Sequence, residues 1–466
     1  MIVALMTMAF TLSLHAAKST PQITANNEFP GGKCFLYRLT LTDKKGTPYS
    51  IKHPEKFLSQ KALERRKRQG LKVDSTDLPI NPAYLEGIEA TGAKVMCKSK
   101  WNNTVLVKVM ENFNVETLTA LPYVADAFKV WTSPNELKRP SRVIYSKQLE
   151  PREEATDKIY GASALNIDMV NGRKLHEMGY RGENITIAVF DGGFMNADSL
   201  PALRGIKLLG TKDFVAFPAE SIFCELDHGT KVLSTIALDV KGTFVGTAPD
   251  AMFWLIRTED DATETQAEED YWAAAAEFAD SVGVDIITSS LGYQDFDDKT
   301  TDHKYMELDG NHAIISRTAS RLASKGIIHV NSAGNDGTAQ WHKINFPADA
   351  RDILAVGALK PDKTNASFSS LGPSQDGRVK PDIMSLGSPA AVMSGRGKLS
   401  NDMGTSFAAP IIAGMVASLW QSAPKATAYE VMDAIRRSAD SYEYPNNVFG
   451  YGIPDFEKAY YILKGN

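Results

Sequence analysis

Three residues of the 466-residue chain have the types and surroundings for nucleophilic chemistry. Asp191 follows the apolar run Ile185–Phe190 and precedes Gly192-Gly193. His228 opens a helical pattern in Asp-His-Gly-Thr-Lys-Val, 37 residues on. Ser406 lies in Gly404-Thr-Ser-Phe-Ala-Ala-Pro410, a further 178 residues on, at the head of an apolar helix. A serine hydroxyl is a weak nucleophile until an adjacent base takes its proton. Histidine titrates near neutrality and can take that proton and return it. A carboxylate holds the other ring nitrogen and stabilises the imidazolium. Each residue alone is more often a turn or cap residue. Together they point to acyl transfer. A helix start at Ser406 adds free N–H groups and the positive end of a helix dipole for a developing oxyanion.

The elements that must position them begin near Ser163. Short apolar runs (Ile185–Phe190, Ala251–Ile256, Val284–Thr288, Ile327–Val330, Ile353–Val356) alternate with helical patterns at His228–Ala237, Gln266–Val282 and Asp309–Lys325. Phe407–Trp420 reads as a buried core helix, since Pro410 and Gly414 interrupt it and it is too short to span a bilayer. The alternation predicts an α/β fold, a mostly parallel sheet covered on both faces, with chemistry at the carboxyl ends of its strands. The order Asp, His, Ser excludes an α/β-hydrolase, which needs a His after the Ser; the last His here is His342. A chymotrypsin-like barrel needs His before Asp. The order present is that of subtilisin.

The chain resembles the subtilisin-like (subtilase) serine proteases over about 163–463. Asp191-Gly192-Gly193, His228-Gly-Thr-x-Val232 and Gly404-Thr-Ser-x-Ala-Ala-Pro410 are similar to the family's three motifs, and Gly246-Thr-Ala-Pro-Asp250 and Lys380-Pro-Asp-Ile383 to accompanying signatures. The resemblance implies a three-layer αβα catalytic domain at 163–466 with Asp191, His228 and Ser406 as triad. It implies Asn335, in Ser332-Ala-Gly-Asn-Asp-Gly337, as oxyanion donor. It places Ser290, Leu291 and Gly292 with Ser332, Ala333 and Gly334 along the pocket for the residue before the scissile bond. Small walls there suggest an apolar side chain, with Asn345 near the floor. The acidic stretch Glu259-Asp260-Asp261 follows a strand at the cleft end and reads as a solvated loop or as a preference for basic substrates. No cofactor is expected, and no metal: Leu238–Gly246, where some relatives carry calcium, offers only Asp239.

Before that domain, 28–135 reads as a small α+β unit. Cys34–Leu41, Asn103–Met110 and Val124–Trp131 alternate like strands, and Pro54–Gln69 reads as a helix. The resemblance makes this unit a propeptide, an intramolecular inhibitor removed by a cut in the 136–162 linker, where 141–158 is polar and patternless. From Lys18 to Glu150 there are 22 Lys+Arg against 13 Asp+Glu, a balance of +9; the remainder carries −14. A basic front on an acidic body suits electrostatic docking. Residues 1–17 are uncharged, and their apolar run fits a signal peptide, hence export to periplasm or medium. With 43 % hydrophobic and 23 % charged residues the chain is neither disordered nor membrane-embedded; the basic run Lys61–Arg68 reads as one solvated helix face, and no basic stretch is interleaved with aromatics for nucleic acid. Cys34 and Cys97 could pair in an exported protein. The reading is an exported serine endopeptidase acting on proteins or peptides, with no integral membrane segment after signal removal. A peptide ligase or macrocyclase on the same scaffold, or a non-catalytic peptide-binding module, are the alternatives.

Overall fold

The computed structural model describes residues 23–28, 32–140, 142–145, 148–151, 156–217 and 219–465. The signal-peptide expectation for 1–17 lies outside them. The body is built on seven strands: β1 (Thr186–Asp191), β2 (Lys207–Asp213), β3 (Met252–Arg257), β4 (Ile286–Ser289), β5 (Ile328–Ser332), β6 (Leu354–Leu359) and β7 (Ile383–Leu386). They pair in the order β7-β6-β5-β4-β1-β3-β2, every pair parallel. All six residues of β1 are buried. Ile187 and Val189 enter the core on one face, Ala188 and Phe190 the core on the other. That is why the strand reads as an unbroken apolar run rather than an alternation.

Helices α1 (His228–Ala237) and α3 (Thr405–Ser422) cover the first face, and α2 (Ala267–Val282) covers the second. The three-layer αβα expectation is met. Sheet growth reverses at β1, which has β4 on one side and β3 on the other. Open parallel sheets form a crevice at such a switch, beyond the carboxyl ends of the strands. Asp191 is the last residue of β1 and points into it.

Two helical expectations are corrected. Asp309–Lys325 is not one helix: only Ile314–Ala319 is α-helical, with a 3-10 turn at Ala323–Lys325. The Asp309 carboxylate accepts from the Asn311 and His312 amides, each at 2.8 Å, a local turn that competes with helix, and Gly310 sits at φ 76°. Pro54–Gln69 likewise breaks after a 3-10 turn at Pro54–Lys56 and restarts as Gln60–Arg68, where the Ser59 hydroxyl caps the Ala62 amide.

The front unit is a four-stranded antiparallel sheet ordered Lys94–Ser99, Thr104–Met110, Cys34–Leu41, Val124–Thr132. Ile23–Glu28 pairs separately with Glu136–Pro140. The unit docks on α2. That helix turns Trp272, Ala275, Ala276 and Ala279 to the sheet of the body. Asp270, Glu277 and Asp280, at helical spacing, serve the front unit. Arg38 Nε donates to both Asp270 oxygens at 2.9 and 2.8 Å. Glu277 accepts from the Ser99 hydroxyl at 2.6 Å and from the Lys100 and Trp101 amides at 2.7 and 2.8 Å. Asp280 takes Arg65 at 2.5 Å and Arg66 at 2.8 Å, and Arg66 also holds Asp77 at 2.9 Å. Both arginines are 1 % exposed and Asp280 is fully covered. In the basic run at 61–68, which reads from the sequence as one solvated face, Arg65 and Arg66 therefore form a buried electrostatic seam, while Lys67 and Arg68 stay exposed.

Cys34, Cys97 and Cys224 are free thiols. Cys34 and Cys97 sit on strands with Thr104–Met110 between them, so the pairing considered from the sequence is not made.

Candidate active site

At the carboxyl end of β1 the Asp191 carboxylate is 1 % exposed. One oxygen accepts from the Gly192 amide at 2.9 Å and the other faces His228 Nδ1 at 2.8 Å. His228 begins α1, and Gly229 lets the helix come this close: a Cβ there would lie 2.9 Å from Asp191 Cβ and 2.4 Å from the Gly193 carbonyl oxygen. Burial draws the imidazolium pKa down. Asp191, with Glu259 adding to it, outweighs burial and holds His228 at about 9. Glu259 stands two residues past β3, and its own carboxyl is pushed well up, first by burial and then by Asp191. Lys231, held by Asp402 at 3.0 Å, pulls the His228 value slightly the other way.

A general base works only when neutral, so for a His228 acting as one this shift would carry a direct kinetic sign. Base-dependent kcat/KM is expected to climb with pH through about 9 and to fall as His228 gains its proton below that. Glu259→Gln removes one of the raising charges, so the pH–kcat/KM midpoint moves to lower pH. A profile that stays in place would show that Glu259 does not act on His228.

Ser406 is the second residue of α3. Pro410 within that helix has no N–H to offer the Ser406 carbonyl four residues back. The Ser290 hydroxyl takes that carbonyl instead, at 2.8 Å, and the Ser406 hydroxyl in turn donates to the Ser290 carbonyl at 3.3 Å. A proline that looks like a breaker thus leaves a polar group that ties α3 to the end of β4. His228 and Phe407 rings lie 5.6 Å apart, which sets the imidazole beside the Ser406 turn.

Asn335 follows β5 and is oriented by Thr405. The Thr405 amide donates to Asn335 Oδ1 at 2.9 Å, and the Thr405 hydroxyl lies 3.0 Å from the same oxygen. Those contacts fix the amide so that Nδ2 points the other way. Gly404 has φ 157° and ψ 150°, a conformation nearly confined to glycine. A Cβ at Gly404 would stand 3.6 Å from the Ser406 amide nitrogen and 3.8 Å from Asn335 Nδ2. The Ser406 amide nitrogen and Asn335 Nδ2 thus both lie within 4 Å of the point that a Gly404 side chain would occupy. Thr405 lies inside the Gly404-Thr-Ser406 string, but no local signal marks it as the residue that orients Asn335.

Ser290, Leu291 and Gly292 leave the end of β4, and Ser332, Ala333 and Gly334 leave β5 beside it. Asn331 Nδ2 and the Ser332 hydroxyl both donate to the Leu291 carbonyl, at 3.2 and 3.3 Å. Asn345 closes the gap between the two segments: a Cβ on Gly292 would lie 2.8 Å from Asn345 Cβ, and one on Gly334 3.0 Å from its Cγ. Asn345 Nδ2 donates to Asp336 at 2.8 Å. Five of these six residues are small, and Asn345 makes the end between the two segments polar.

The region from 182 to 452, more than half of the chain, matches the Peptidase S8 subtilase family model. The chain belongs to the subtilase family. Its front segment, 36–146, matches the Peptidase S8 propeptide domain of Bacteroidota. This subtilase is 31 % identical to membrane-bound transcription factor site-1 protease of Rattus norvegicus over 303 residues, 62 % of the chain. It is 27 % identical to subtilisin NAT of Bacillus subtilis subsp. natto over 321 residues, 68 % of the chain and 74 % of that protein. Subtilisin-like protease SBT6.1 of Arabidopsis thaliana matches at 29 % over 361 residues. The subtilase spans about a quarter of the length of the site-1 proteases it matches (26 %). Among the described residues no helix is long and apolar enough to cross a membrane.

Proposed function

We propose that the chain is an exported serine endopeptidase, made as a zymogen whose front unit inhibits the body until it is cut away. The reading rests on the 2.8 Å contact between Asp191 and His228, with Ser406 in the first turn of α3 and with its amide and Asn335 Nδ2 both close to Gly404. Ser406 Oγ leaves the Ser290 carbonyl, gives its proton to His228 Nε2 and attacks a peptide carbonyl carbon. Asp191 holds Nδ1–H and stabilises the imidazolium. The carbonyl oxygen, now negative, takes the Ser406 amide and Asn335 Nδ2. His228 passes the proton to the leaving amine, and water then cleaves the acyl-serine by the same route. Small segments at 290–292 and 332–334 bind the substrate next to the bond that is cut.

The front unit fits the role of inhibitor because it closes on the body around this end of the sheet. Trp131 Nε1 donates to Thr263, in the loop after β3, at 2.9 Å, and Arg142 Nε donates to Asn196, in the loop after β1, at 3.1 Å, so contacts on either side of 136–140 tie this stretch to the two loops that leave this end of the sheet. The matched propeptide domain and the names of the relatives support the same assignment. Export rests on the apolar 1–17 segment.

A fluorophosphonate probe tests the chemistry: the processed chain should carry the label on Ser406 itself, located by peptide mass. Label elsewhere, or none on chain already cut in the linker, would refute the assignment. Asn335→Leu is expected to lower kcat by about 10²–10³ with KM little changed, the size of effect known for the equivalent loss in subtilisin. An equal fall in binding alone would argue against an oxyanion role.

A further inference from the structure

A cavity of about 750 Å³ opens at the seam between the front unit and the body, away from the Asp191–His228–Ser406 cleft. That is within the usual size of small-molecule sites, ~300–1,000 Å³. Both halves build it. Phe57 and Met96 of the front unit meet Phe214 and Phe278 of the body as its apolar lining. Lys56, Lys94 and Lys98 of the front unit and Lys212 of the body also line it, and all four are exposed. Among the described residues none of these four has a carboxylate within ion-pair distance. The two carboxylates that line the cavity are already engaged. Asp213 pairs with Arg257 at 3.2 Å and accepts from the Val215 amide at 3.0 Å. Glu277 holds Ser99, Lys100 and Trp101, as described above. An apolar hollow rimmed by unpaired cations is complementary to a molecule with one anionic head and an alkyl tail.

We propose that this seam cavity binds a fatty-acid-like amphipathic anion, its carboxylate among the lysines and its chain on the four apolar residues, and that the ligand holds the front unit in place. Because each half supplies both cations and apolar lining, the complete site exists only while the halves are docked. A ligand that needs both favours the docked state by the factor 1 + [L]/Kd.

The test uses the chain with Ser406→Ala, which keeps the two halves together whatever the activity, and dodecanoate below its micelle concentration. Calorimetry should find one dodecanoate per chain, with dodecan-1-ol at least tenfold weaker. Lys98→Gln with Lys212→Gln should weaken dodecanoate at least tenfold while leaving the thermal midpoint without ligand unchanged; the single variants should fall between. Trypsin trimming of the front unit should slow by about tenfold at nine times Kd, since cleavage of an opened state follows its population. Binding without saturation, equal affinity for the alcohol, affinity undiminished in the double variant, or trimming indifferent to dodecanoate would each overturn the proposal.

Discussion

Ser406→Ala is expected to leave the chain at full length while the wild type cuts itself in the 136–162 linker. The change removes one oxygen that donates only to the Ser290 carbonyl at 3.3 Å, so the fold has little to lose. In the proposed mechanism the chemistry loses its nucleophile. In subtilisin, a relative, the same loss lowers turnover by about 10⁶, and what remains comes from the oxyanion donors and substrate binding. At 1.36 kcal/mol per decade that is about 8 kcal/mol of transition-state stabilisation. Intact mass over time reads the result directly. Were the alanine chain cut at the wild-type rate and place, another protease would be responsible and self-processing would be wrong.

Asp280→Ala carries the second large effect, on docking rather than on chemistry. It leaves Arg65 without a carboxylate partner and leaves Arg66 with Asp77 alone, both at 1 % exposure. Breaking a buried pair by removing one member costs about 3–5 kcal/mol, because a charge stays covered and uncompensated. The front unit should therefore melt or be trimmed at markedly lower denaturant than in the parent, both measured in the Ser406→Ala background so that self-cutting does not intrude. A shared, unchanged transition would show that the seam is held by its apolar contacts. Burial raises the Asp280 carboxyl, but Arg65, Arg66 and Lys100 outweigh it and keep it below its usual value. The pairing is therefore fully in place above about pH 4 and is lost only as the pH falls below that.

Much of the cleft was legible in the sequence because its residues sit at element boundaries with strong local signals. Asp191 ends an apolar strand, His228 opens a helix, and Ser406 follows a glycine at a helix start. Parallel strands buried on both faces announced the sheet. What stayed hidden depends on long-range contact. That Ser290 takes up the carbonyl freed by Pro410 needs β4 and α3 side by side, 116 residues apart in the chain. The solvated reading of 61–68 failed for the same reason: a lone amphipathic helix cannot show that the cations on it meet carboxylates more than 200 residues away. Edge strand β2 was missed because five of its seven residues are exposed, which erases the apolar run.

The row of carboxylates on α2 also governs what happens once the two parts are separate. Residues 18–150 carry +9 and residues 151–466 carry −14. At neutral pH the parts would move to opposite resins in ion exchange. They would also find each other again faster than neutral bodies of their size, because opposite fields steer the encounter. Salt shortens the reach of those fields to ~8 Å near physiological strength and ~3 Å at 1 M. Recapture would slow steeply over that range, while the rate of letting go, set by the dry Arg65–Arg66–Asp280 contacts, would change much less.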